Sequence, residues 1–256
     1  MGANGMYHSR RERIKDYVDQ RKIVSMKELC LLCPDVTLMT LHRDLDALQQ
    51  AGFLQKVRGG ARAASSTVET NFYARAKIHV EGKARIAEHA ARFIKPGSSV
   101  FVDAGTTCHA LIRALPDIDF TLFTTGANFA QDLARLAHVS ANLCGGNLNC
   151  NNMALSGYGT LEYLEGVNID ICFIGVSGHS PGIGFTCGKE SEMLVKKLAI
   201  RKARVSALLM DRSKTSRIMP YTFATFADVQ YIITDAPLPD EFVIEAKRFG
   251  KAQILH

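Results

Sequence analysis

The chain has 256 residues, 47% hydrophobic and 22% charged, with a mean hydropathy of +0.01. These are values of an ordinary globular protein of one or two domains, and they exclude disordered, collagen-like and fibrous classes. A net charge of +6 is modest, but it is unevenly placed: residues 1–62 carry 11 Lys/Arg against 7 Asp/Glu, which leaves 20 against 18 for the rest. A basic small segment joined to a near-neutral larger one is the pattern of a nucleic-acid reader attached to something else.

No apolar run reaches the roughly 18–20 residues of a membrane helix, and the first residues lack the apolar core of a secretory signal, so a cytoplasmic location without membrane partners is expected. Met6 stands where a myristoylation signal would need Ser or Thr. Seven cysteines (30, 33, 108, 144, 150, 172, 187) form an odd, scattered set that fits reduced thiols. Cys30-Leu-Leu-Cys33 has no second Cys-x-x-Cys or His pair, so both residues are expected to fill the inner side of a short helix. No metal and no cofactor is expected.

In chain order, Ile14, Tyr17 and Val18 recur at helical spacing within residues 10–21. Ser25 with Glu28 three residues later is a capping-box start for a second helix that Pro34 stops. Thr37 caps a third, in which Leu38, Leu41, Leu45 and Leu48 share one side until Gly52. Met39, Arg43 and Gln50 point the other way, with Thr40 and His42 on the flanks. Residues 53–61 read as a strand, a basic turn with Lys56 and Arg58, and a return strand, which together make a wing. A plain three-helix bundle with a hairpin would give the same element count.

Residues 62–80 are short of strong periodicity and include Ala63-Ala-Ser-Ser-Thr-Val-Glu-Thr70, a small and polar run that reads as a linker. Beyond them Ile86, Ala87, Ala90, Ala91 and Ile94 form an amphipathic helix closed by Pro96-Gly97. Apolar runs at 99–103, 120–125, 139–144, 169–176, 205–211, 229–234 and 253–255 alternate with helical stretches, which predicts a mainly parallel sheet flanked by helices. Ligands of such sheets bind beyond the strand C-termini. The loops there are rich in Gly, Thr, Ser and Lys: Asp103-Ala-Gly-Thr-Thr107, Thr124-Thr-Gly-Ala-Asn128, Cys144-Gly-Gly146, Gly175-Val-Ser-Gly178, Gly184-Phe-Thr186 and Asp211-Arg-Ser-Lys214. Hydroxyls, backbone N–H groups and a lysine around one sheet edge suit a phosphorylated polyol.

The stretch Val36-Thr-Leu-Met-Thr-Leu-His-Arg-Asp-Leu45 with Leu48, Gly52, Leu54 and Gly59-Gly60-Ala61 resembles the DNA-binding signature of DeoR-type bacterial transcriptional repressors. Lys83-x-x-Ile-Ala87, Asp103-x-Gly-Thr-Thr107, Gly145-Gly146, Gly184-Phe-Thr186 with Glu190 and Glu192, and Asp211-x-Ser-Lys214 follow in that family's order, so the resemblance covers nearly the whole chain. It departs at His42 (for an arginine), Arg58 (for the wing histidine), Thr125-Gly126 and Cys187-Gly188-Lys189.

The resemblance implies a winged helix-turn-helix domain (residues 1–62), a linker (63–74) and a Rossmann-like α/β domain similar to ribose-5-phosphate isomerase (75–256) that senses a phosphorylated sugar and oligomerises. It implies double-stranded operator DNA held by Thr37, Met39, Thr40, His42, Arg43, Lys56 and Arg58, with Arg10, Arg11 and Arg13 on phosphates. Asp44 is expected instead to partner a neighbouring arginine. The effector would meet Asp103, Gly105, Thr106, Thr107, Thr125, Gly126, Gly145, Gly146, Gly178, Lys189, Glu190, Asp211 and Lys214. His109 and His179 have no partner at any telling spacing and read as ordinary polar residues. A homodimer or homotetramer is expected, because one helix-turn-helix buries too little surface to be selective. The alternative function is a phosphosugar isomerase with an appended DNA-binding domain, using Asp103, Glu190, Asp211 and Lys214. A sugar-storage or scaffold protein with non-specific DNA binding is a third.

Overall fold

A computed structural model of the chain describes residues 3–50, 53–63, 71–215, 217–250 and 252–256. Gly52 and most of the expected linker lie outside them. The chain divides into two compact units, Met1–Thr70 and Asn71–His256.

In the first unit α1 (Ala3–Arg21) leads into β1 (Ile23–Ser25), α2 (Met26–Leu32), α3 (Leu38–Gln50), β2 (Leu54–Val57) and β3 (Gly60–Ala63). Ser25 caps α2, and its own amide and hydroxyl donate to Glu28 in return. Thr37 accepts from the Thr40 amide at 3.3 Å at the head of α3. Ile14, Val18, Leu29, Leu41, Leu45 and Leu48 close one core. Leu38, expected on that side, is 53% exposed, because the first turn of α3 projects past the core. Cys33 is buried but Cys30 faces solvent, so only one of the pair fills the inner side of α2.

The wing hairpin has a third strand that the sequence reading lacks. β1 pairs antiparallel with β3, Ile23 opposite Arg62, in the order β1-β3-β2. Gly60 makes this possible: a Cβ there would meet the Val24 carbonyl oxygen at 2.0 Å.

The second unit starts before residue 75. α4 (Phe72–Ala76) buries Phe72 in its core and precedes α5 (Val80–Ala91), β4 (Ser99–Val102), α6 (Thr106–Arg113), β5 (Phe120–Thr124), α7 (Ala130–Leu133) and β6 (Val139–Leu143). A hairpin, β7 (Asn147–Asn149) and β8 (Ala154–Ser156), is followed by α8 (Tyr158–Glu165), β9 (Ile169–Gly175), β10 (Gly178–Ser180), β11 (Gly184–Cys187) and α9 (Glu190–Lys202). The chain ends with β12 (Ala203–Leu209), β13 (Tyr221–Ala224), β14 (Tyr231–Ile233), α10 (Asp240–Phe249) and β15 (Gln253–Leu255).

The apolar runs become one seven-stranded parallel sheet in the order β15-β14-β12-β9-β4-β5-β6. Its two faces carry separate cores, one including Ile86, Leu111 and Phe129, the other Leu164, Leu198 and Phe242. The loops read at Gly178 and Gly184–Thr186 instead form a small antiparallel sheet, β10-β11-β13. The strand order reverses between β4 and β9, which opens a crevice at their C-terminal ends. Among the described residues no helix is long and apolar enough to cross a membrane.

Candidate functional site

In the first unit the outward face of α3 has the expected exposure: Thr37, Met39 and Arg43 are exposed, with Thr40 and His42 half-buried beside them. Arg58 is exposed at the tip of the wing, whereas Lys56 donates to Asp46 at 2.6 Å. Asp44, 1% exposed, accepts from Arg10 Nε at 2.6 Å and Arg11 Nε at 2.7 Å. Arg13 donates to the Leu32 carbonyl at 2.7 Å. Arg10, Arg11 and Arg13 therefore tie α1 to α3 and to the end of α2; Arg10 is buried, which corrects its expected role on DNA phosphates, whereas Arg11 and Arg13 keep exposed surface.

In the second unit the crevice is built around a residue that no motif or spacing in the sequence singles out. Lys196, on α9, is buried and donates to Asp103 Oδ2 and, at 2.8 Å, to the Gly175 carbonyl. Asp103 also accepts from the Gly175 amide at 3.1 Å and from Thr125 Oγ1. Burial alone would lower the Lys196 pKa, but the Asp103 carboxylate outweighs it and raises it above 10.5. Asp103 is 5% exposed and its oxygens are held internally. It therefore bridges β4, β9 and α9. The nearby Glu192, also buried, accepts from Asn152 Nδ2 at 2.5 Å and Asn149 Nδ2 at 3.4 Å.

Gly105, at φ +118° with open space where a Cβ would lie, turns the chain from β4 into α6 and leaves Thr106 and Thr107 in the first turn. Among the described residues no side chain caps that helix end, which leaves its first amides and positive dipole available to an anion. Thr125 is buried and accepts from the Ala104 amide at 3.2 Å, bracing this loop. Gly126 is pressed against the Phe129 ring. Gly145 accepts from Thr160 Oγ1 at 2.7 Å, and the same hydroxyl leaves no room for a Cβ at Gly146. Gly178 lies inside β10 against the Arg217 carbonyl, so it is a packing glycine. Lys189 and Glu190 are exposed at the start of α9.

A second polar group sits at the end of β12. Asp211, 1% exposed, accepts from the Ser213 amide at 3.0 Å and from its hydroxyl. Its Oδ2 has no hydrogen-bond partner among the described residues and lies 3.9 Å from Lys214 Nζ. Burial raises the Asp211 pKa, but Lys214, Ser213, His79 and Lys83 outweigh it and hold the carboxyl below its ordinary value. The buried Lys83 donates to the carbonyls of Arg75 at 2.5 Å and Ile78 at 2.7 Å, and burial brings its pKa down from 10.5 to about 8. Between those values the unfolded chain holds a proton that the native one has released, so this group adds stability as pH rises from 8 to 10.5. In urea unfolding, Lys83→Met is expected to flatten that rise relative to the parent. An equal slope in both proteins would refute the assignment.

Both histidines have carboxylate partners distant in sequence. His109 Nε2 lies 2.6 Å from Asp132 Oδ2, and its ring stacks on Phe129 at 5.1 Å. His179 is packed by Phe185, Phe226 and Phe242 and lies 3.5 Å from Glu245. No cluster of His, Cys, Asp and Glu among the described residues could hold a metal ion.

Residues 10–67 match the model of the DeoR-like helix-turn-helix domain, and residues 78–236 that of the DeoR C terminal sensor domain. Over the full chain the protein is similar to the glycerol-3-phosphate regulon repressor of Escherichia coli (strain K12), at 30% identity covering 90% of this chain and 91% of that one. It is also similar to the HTH-type transcriptional repressor GlcR of Bacillus subtilis (strain 168), at 31% identity covering 89% and 88%. The HTH-type transcriptional regulator IolR of the same organism is 29% identical, covering 90% and 92%. Ribose-5-phosphate isomerase A of Methanocaldococcus jannaschii overlaps 53% of this chain and 54% of its own at a TM-score of 0.39 and 16% identity, too loose an overlap to carry a functional argument.

Proposed function

Because the chain belongs to the DeoR family of helix-turn-helix transcriptional regulators, we propose that it represses a carbohydrate catabolic operon and that a phosphorylated sugar modulates its hold on the operator. It is a regulator and not an enzyme. The observation that carries the finer reading is that one chain joins an exposed reading face on α3 to a sheet-end crevice with an open helix N-terminus and an unsatisfied carboxylate oxygen.

On the DNA, Arg43 suits a bidentate contact with guanine, while Met39, Thr40 and His42 stand beside it at base edges and Thr37 and Arg58 meet the backbone. Lys56 contributes charge at the wing base alongside Asp46. In the crevice, Gly105, Thr106 and Thr107 cradle the phosphate. Asp211 accepts sugar hydroxyls through Oδ2, and Lys214 and Lys83 balance the anion. Thr125, Gly126, Gly145 and Gly146 shape the loops, while Lys189 and Glu190 flank the entrance. A homodimer or homotetramer sets two readers on half-sites. The ligand acts by favouring an arrangement of the readers that fits the half-sites differently.

The test is fluorescence anisotropy of duplex DNA from upstream of the protein's own gene, at fixed salt, with a panel of sugar phosphates and their unphosphorylated parents. Binding better than to scrambled duplex, altered by one phosphorylated sugar and not by its parent, is the expected result. Arg43→Ala is expected to cost about 1–3 kcal/mol of operator binding and to relax preference at one base pair. Arg58→Ala should weaken all duplexes alike and shrink the salt slope by about one. Unchanged operator affinity in Arg43→Ala would overturn the assignment of α3 as the reading helix.

A further inference from the structure

A groove of about 540 Å³ runs between α4, α5, α6 and α7, within the range of about 300–1,000 Å³ typical of small-molecule sites. Its walls carry Ala84, Ala87 and Ala110, and Tyr73, 59% exposed, forms a lip on α4. Thr106 and Lys83 line it too, so the groove opens from the very turn whose amides are placed to take a phosphate. A polar group inside it has nothing to bind: Asn128 Oδ1 is buried without a hydrogen-bond partner among the described residues. A buried acceptor left unmatched is costly, and a ligand that donates to it recovers that cost.

The groove also shares a wall with the element that leads out of this unit. α4 is the first helix after residues 64–70 in the sequence. Phe72 holds it to the core, its amide donating to the Asn151 carbonyl at 2.8 Å and its ring lying 5.7 Å from His109. Lys83 clamps the turn after it by the two carbonyls of Arg75 and Ile78. Phe72, Tyr73 and Ala76 of this short helix all face the groove, so an occupant touches α4 directly.

We propose that the groove seats the hydroxyl-bearing end of the effector, with Asn128 Oδ1 accepting from one of its hydroxyls, and that contact with α4 is how occupancy is passed towards the DNA reader. The ligand class is a phosphorylated polyol long enough to reach from the first turn of α6 to Asn128. This rests on the phosphosugar reading above and adds to it a specificity-determining residue and a relay.

The chain contains no tryptophan, so Tyr73→Trp installs a single emitter at an exposed position on the groove lip. The full-length variant would be titrated with triose, pentose and hexose phosphates, with inorganic phosphate and the parent sugars as controls, and operator anisotropy recorded on the same samples. The sugar phosphate that alters operator binding is expected to shift the tryptophan emission saturably at the same concentration, and inorganic phosphate is expected not to. Asn128→Leu should weaken that sugar phosphate about tenfold while inorganic phosphate competes as before. Ala84→Phe, which fills the groove from an exposed position, should weaken it at least as much. A sugar phosphate that changes operator affinity with emission unmoved, and with full potency in Ala84→Phe, overturns the groove and leaves the phosphosugar reading standing. If no sugar phosphate changes either signal, both fall together.

Discussion

Lys196→Met is expected to destabilise the second unit by about 3–5 kcal/mol, the cost of breaking a buried ion pair and leaving one charge without its partner. The substitution keeps most of the volume and removes the ammonium that Asp103 and the Gly175 carbonyl both accept from. Asp103 is buried on three elements at once, so no rearrangement short of opening the crevice brings its carboxylate to water. Asp103→Asn should cost less, because the amide still fits beside Thr125, and the double variant should cost less than the two singles summed, since each single strands a group that the double removes. Because the pair raises the Lys196 pKa above its ordinary 10.5, its contribution is complete at neutral pH and declines only as pH rises past that value. Urea unfolding followed by far-ultraviolet circular dichroism measures this. A loss below about 0.5 kcal/mol in Lys196→Met would mean the pair is incidental.

Asp44→Ala is expected to abolish operator binding although Asp44 touches no base. Arg10, buried, and Arg11 both converge on its carboxylate from α1, so the truncation removes the acceptor that both guanidiniums share. A cost of about 3 kcal/mol is a large fraction of what a unit this small has to spare. The contrast with Arg43→Ala separates structure from reading: Arg43 is exposed, so its loss should leave the melting of the first unit unchanged and remove only base preference. Thermal unfolding and anisotropy on both variants decide the matter. Asp44→Ala melting with the parent and binding operator normally would show that the α1–α3 tie is dispensable.

The parts of this protein determined by its sequence alone are those encoded within one or two helical turns or one strand. Ser25 and Glu28 write the start of α2 at a spacing of three residues. Leu41, Leu45 and Leu48 define the inner stripe of α3, and apolar runs at steady intervals announce the seven parallel strands. The face carrying Met39 and Arg43 follows from the same periodicity. The loop Gly105–Thr107 is equally legible, because a strand running into a glycine and two hydroxyl residues dictates a helix start.

Tertiary structure decided everything that depends on which distant segments meet. Lys196 stands 93 residues from Asp103, and Arg10 stands 34 from Asp44. His109 finds Asp132 across 23 residues. None of these separations follows a period, so no spacing rule could have found them. The third strand of the wing is three residues long and exists only through its pairing with β3. The inward or outward fate of Leu38 and Cys30 was set by where the core ends, not by their helical phase. Which loops line the crevice was settled by the strand order: reversal between β4 and β9 brings Asp103 and Gly175 together, while Gly178 is folded into a separate sheet. The physical reason is common to all of them. Local pattern fixes the direction in which a side chain points, whereas the charge or hydrogen bond it meets there is fixed by chain closure over tens of residues, which no local preference encodes.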